Sequence, residues 1–66
     1  MKNSIKINRL IKGFSQEQLA HAVGVSRQTI NALEAAKYVP STVLALKLSR
    51  ILEKKIEELF ELEEND

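Results

Sequence analysis

The stretch from Ser15 to Glu34, SQEQLAHAVGVSRQTINALE, constrains this chain more than any other. It reads as two short helices joined by a tight turn. Ser15 stands where a first helix needs a cap. Gln18, three residues on, completes the pattern of a capping box. Gly24 falls where the chain must leave that helix, a place that favours positive φ. Ser26 is placed to cap the second helix, so Arg27, Gln28 and Thr29 form its first turn. Leu19, Val23, Val25, Ile30 and Leu33 supply an apolar seam, and Ala20 is small where two helices must approach closely. The expected spans are 16–23 and 27–35.

Caps, a glycine and an apolar seam serve any helical hairpin. The further observation is the polar turn Arg27-Gln28-Thr29 at the exposed start of the second helix. A helix presented this way enters the DNA major groove while its partner crosses the backbone. Arginine pairs with guanine, glutamine with adenine, and threonine meets a base edge or a thymine methyl.

These residues, with others around them, resemble a known family. Lys12-Gly13-Phe14-Ser15-Gln16, Leu19-Ala20, Val23 through Ile30, Leu33-Glu34, Lys37-Tyr38 and Pro40-Ser41 are similar to the lambda-repressor-like helix-turn-helix family of Cro/repressor or Xre type. Leu44 to Leu48 and Glu58-Leu59-Phe60 extend the likeness over residues 5–60, and Ser26 to Ile30 is its most specific part. The resemblance implies an all-α, compact five-helix domain that binds double-stranded DNA. It implies base contacts by Arg27, Gln28 and Asn31, and a methyl or phosphate contact by Thr29. It places Gln16 on a backbone phosphate at the start of helix two, where it also braces the first turn of helix three. Lys37 and Tyr38 are expected on phosphates after helix three, with Ser15 and Ser26 sharing contacts with their capping role. Ala32, where relatives often carry longer polar residues, has only a methyl to offer.

Length and composition agree. Sixty-six residues suit one small domain, residues 1–66, whose core is marginal and to which pairing would add stability. Net charge is only +1, but its distribution is uneven: residues 1–37 carry six bases and two acids, and residues 38–66 four bases and seven acids. The basic part is expected to face phosphates and the acidic tail, 61–66, to lie away from DNA. There is no cysteine, no apolar run of membrane-spanning length and no signal-peptide pattern, so a cytoplasmic location is expected. His21, the single histidine, falls off the apolar face of helix two and is expected at the surface. Ser15, Ser26 and Ser41 each precede a helix and read as caps rather than nucleophiles. No metal, cofactor or enzymatic site is expected.

Elsewhere the expectations are looser. Helix one is placed over 5–12 and ended by Gly13, with Ile7, Leu10, Ile11 and Phe14 as its buried stripe. Asn8 stands where relatives carry an apolar residue, which leaves the rotation of this helix open. Ala36 replaces the glycine that closes helix three in the family, so that helix is expected to run on or to end differently. Ser41 caps helix four, with Leu44, Leu48, Ile51 and Leu52 inward. Glu53-Lys54-Lys55 lacks the usual turn residues before helix five, 56–60, so a corner and a continuous helix are both open. The tail admits two readings, a short edge strand against Lys2–Ile7 forming a terminal β-ribbon, or a frayed end.

The expected function is that of a transcriptional regulator, a repressor binding a palindromic operator as a homodimer through Ile56, Leu59, Phe60 and Leu62. The rival is a protein-interaction module, such as an antitoxin or scaffold, with an unidentified protein partner and secondary DNA binding.

Overall fold

The computed structural model describes residues 1–66. The elements are β1 (Lys2–Asn3), α1 (Ile5–Ile11), α2 (Gln16–Val23), α3 (Arg27–Glu34), α4 (Thr42–Leu52), α5 (Ile56–Leu59) and β2 (Phe60–Glu61). The two strands pair antiparallel, Lys2 opposite Glu61 and Asn3 opposite Phe60. A terminal ribbon does form, but it uses Phe60, expected at the end of helix five, with only Glu61 from the tail.

The core is aliphatic. Ile5, Leu19, Ala20, Val23, Ile30, Leu33, Leu44, Leu48, Leu52 and Leu59 are buried, and Phe14, Val25, Ile51 and Phe60 pack against them. The seam between α2 and α3 consists of the residues the periodicity selected. Burying side chains of this size stabilises a domain by roughly 1.5–3 kcal/mol each, before the entropy cost of ordering them.

Helix α1 does not follow its apolar spacing. Ile7, Leu10 and Ile11 are 63%, 58% and 72% exposed, and only Phe14, beyond the helix, packs inward. Ile5 and Arg9, one turn apart, face the core instead. The polar groups of this region explain the rotation. Arg9 donates through Nε and Nη2 to the Glu34 carboxylate, at 2.7 and 3.2 Å, and through Nη1 to the Phe14 carbonyl at 2.8 Å. Asn8 donates to the Ser4 carbonyl and Ser4 to the Glu58 carbonyl. Turning α1 to bury its isoleucines would leave Glu34 buried without its partner, a cost of several kcal/mol.

Four helices end in one way. Gly13, Gly24, Ala36 and Glu53 all have positive φ, at 80°, 76°, 59° and 55°. At each, the next residue's N–H reaches back five positions, as in Val25 to the Ala20 carbonyl and Lys37 to the Ala32 carbonyl, both 3.0 Å. This is the Schellman pattern, which satisfies carbonyls left over at a helix end. Helix α3 thus closes where a glycine would close it, with Ala36 held in a strained conformation by these bonds. The Glu53 turn separates α4 from α5 as a true corner. Helix α5 starts without a capping oxygen from Lys55, but the Glu58 carboxylate accepts from the Lys55 N–H at 3.0 Å.

Candidate nucleic-acid interface

Two helix starts build the candidate surface. At α2, Ser15 Oγ accepts from the Gln18 N–H at 3.0 Å and Gln18 Oε1 from the Ser15 N–H at 2.8 Å, completing the capping box. At α3, Ser26 Oγ accepts from the Thr29 N–H at 3.1 Å and lies 2.9 Å from Thr29 Oγ1. The Ser26 and Thr29 hydroxyls thus bond each other, and Thr29 is half-buried. Arg27, Gln28 and Asn31 are exposed. Arg27 and Gln28 make no side-chain hydrogen bond within the chain, so their donors and acceptors face solvent unspent. Lys37 and Tyr38 follow the α3 turn and are exposed beside it.

Gln16 is not where the resemblance puts all of its work. Its Nε2 donates to Glu34 Oε1 at 3.1 Å, and its Oε1 accepts from Asn31 Nδ2 at 3.5 Å. It braces the middle and last turns of α3, not the first. The Glu34 carboxylate that receives Gln16 is the one that also accepts from Arg9. One further cation comes to this face. Lys6 lines a surface hollow with Gln16, Asn31, Glu34 and Ala35. The apolar spacing of helix one points Ile7, Leu10 and Ile11 inward, which hides the places of Lys6 and Arg9 on this side. Once Arg9 is set inward, Lys6, one turn earlier, falls on the same flank.

The four residues expected at a dimer interface separate. Leu59 is 1% exposed and belongs to the core, so it has no surface to offer a partner. Ile56 and Phe60 are half-buried, while Leu62 is 77% exposed. His21 is exposed, as expected. No helix is long and apolar enough to cross a membrane.

Helical hairpin, caps and an outward polar face on the second helix together define a helix-turn-helix DNA-binding module. The pattern describing the helix-turn-helix family matches residues 5–59. The chain is 48% identical over 66 residues to the uncharacterized HTH-type transcriptional regulator YgzD of Bacillus subtilis, covering all of both chains. It is 46% identical, also over the full length of both, to an uncharacterized HTH-type transcriptional regulator of Methanocaldococcus jannaschii. The crystal structure of the restriction-modification controller protein C.AhdI from Aeromonas hydrophila superposes with a TM-score of 0.77 at 36% identity, covering 85% of each chain. The chain belongs to the Cro/repressor, Xre-type helix-turn-helix family of DNA-binding transcriptional regulators.

Proposed function

We propose that this protein is a repressor that binds a palindromic operator as a homodimer and reads bases with Arg27, Gln28 and Asn31. The observation that carries the reading is the start of α3. There a hydroxyl cap rigidifies the first turn while Arg27 and Gln28 remain exposed and unengaged. Thr29 adds a methyl contact, its hydroxyl being bonded to that of Ser26. Gln16, Lys37 and Tyr38 contact phosphates, and Ser15 and Ser26 sit beside the same backbone at the two helix starts. Because one such domain reads few base pairs, two copies bind half-sites about 34–36 Å apart. Leu62, with the exposed parts of Ile56 and Phe60, forms the pairing surface. A controller protein as a structural neighbour supports a regulatory role over an antitoxin or scaffold.

Selection of bound duplexes from random DNA tests this directly. An enriched inverted repeat is expected. Log affinity should fall linearly with log salt, with a slope of about −0.9 per phosphate contacted. Arg27→Ala and Gln28→Ala should each remove preference at one position, while Lys37→Ala weakens all sequences alike. Leu62→Asp should give a folded monomer that binds the repeat weakly. No enriched sequence, or enrichment of single half-sites by a monomer, would refute the reading.

A further inference from the structure

We infer that Glu34, anchored by Arg9, is a positioning residue that sets the base read by Asn31, acting through Gln16 and favouring adenine. The inference rests on the proposal that Asn31 contacts a base edge. The Arg9 and Glu34 side chains are 8% and 5% exposed, and both carboxylate oxygens accept from the guanidinium. Such a buried pair adds little net stability over apolar residues of the same volume, so stability alone does not account for it.

Its geometry does something else. A carboxylate only accepts hydrogen bonds. The end of the Gln16 amide that faces Glu34 Oε1, 3.1 Å away, must therefore be the NH2 group. That turns Gln16 Oε1 outward, and an amide oxygen only accepts. Asn31 Nδ2 lies 3.5 Å from it, a longer contact that favours the NH2 end of the Asn31 amide on this side. Asn31 Oδ1 and one remaining N–H are then presented to the groove in a set order. One acceptor beside one donor is the pattern that meets N6 and N7 of adenine. A freely turning asparagine amide would instead pair with several base edges. Glu34 touches no base in this arrangement. It decides the orientation of a side chain that does.

The test uses the full chain and a duplex obtained from random-DNA selection, with each base pair substituted in turn. Asn31→Ala marks the position that Asn31 reads, and Arg27→Ala marks an independent position. In the double variant Arg9→Met/Glu34→Met, which leaves no stranded charge, preference for adenine at the Asn31 position should fall by about fivefold or more. Preference at the Arg27 position should be unchanged. Gln16→Leu cuts the relay while leaving the ion pair in place. It should lose the same adenine preference on top of a uniform weakening, and it decides the matter if the double variant does not fold. Adenine preference retained in a folded Arg9→Met/Glu34→Met variant or in Gln16→Leu, an equal loss at every position, or an Asn31 position that does not prefer adenine would each overturn the inference. Failure of the unmutated chain to select any sequence would show in the first arm. It would refute the proposed function before any relay variant is compared.

Discussion

Helices α2 and α3 meet mainly through hydrocarbon, with the Gln16 amide as a polar tie at one edge, whereas α1 is fastened to the same body largely through polar groups. Between α2 and α3 the buried side chains are Leu19, Ala20, Val23, Ile30 and Leu33. Helix α1 contributes Ile5 to the core, and it and its flanking caps are otherwise tied by Arg9 to Glu34, Arg9 to the Phe14 carbonyl, Ser4 to the Glu58 carbonyl, and Lys12 to Glu53. The two kinds of attachment fail differently. An apolar seam loses energy in proportion to what is removed. A buried ion pair loses little when both members go and a great deal when one is left behind.

The largest break in this comparison is therefore single-sided. Arg9→Ala should cost about 3–5 kcal/mol, because Glu34 stays buried without its cation. That is a large share of what a domain of this size has, at roughly 0.05–0.15 kcal/mol per residue. Urea titration should show a partly or wholly unfolded variant, and Arg9→Met/Glu34→Met should recover most of the loss.

Truncating the seam comes next. Ile30→Ala should cost about 2–5 kcal/mol by the same titration. Ile7→Ala, the removal of an equal side chain from α1, should change stability by less than about 0.5 kcal/mol, since Ile7 already stands in water. A large Ile7 effect in the isolated chain would contradict the observed rotation of α1.

Helix closures offer a smaller effect of opposite sign. Ala36 at φ 59° bears the penalty of a side chain in the left-handed region. Ala36→Gly should raise stability by about 1 kcal/mol. Gly24→Ala should lower it by a similar amount and for the same reason, because an added Cβ there meets nothing within 4 Å.

The smallest effect is an acid-dependent one. The hydrogen bond from Lys12, and then its charge, hold the Glu53 carboxyl below the usual carboxylate range. A lowered folded-state value stabilises above the unfolded value and loses that contribution as pH falls through the folded one. Lys12→Ala should thus lower the thermal midpoint slightly at neutral pH, with the difference vanishing in acid and shrinking in high salt.

The same contrast explains which parts were legible in the sequence. The α2–α3 hairpin is written locally. Ser15, Gln18, Gly24 and Ser26 each act within a few residues of themselves, and the seam follows helical spacing. Helix α1 is written at a distance. The position of Arg9 depends on Glu34, 25 residues away, and no periodicity of isoleucines announces that. The Ala36 and Glu53 turns were obscure for a related reason. Backbone bonds to Ala32 and Ser49 hold conformations that the residue types disfavour. Among the proposed DNA-contacting residues, Arg27 and Gln28 stand exposed, as their placement after a cap implies. The brace of Gln16 on Asn31 and the withdrawal of Leu59 into the core both needed the tertiary arrangement.

The short ribbon has a consequence for the order in which this chain folds. It joins Asn3 to Phe60, and the Ser4 N–H bonds the Leu59 carbonyl beside it at 2.9 Å. Nearly the whole chain lies inside that closure, and closing so long a loop for a few bonds is unfavourable until the helices have drawn its ends together. The ribbon is therefore a late event in folding and an early one in unfolding. Asn3 Nδ2 also donates to the Leu33 carbonyl in the last turn of α3, at 2.8 Å. The last piece to arrive is thus the one that locks the far end of α3, and the first fluctuation to open the chain releases it.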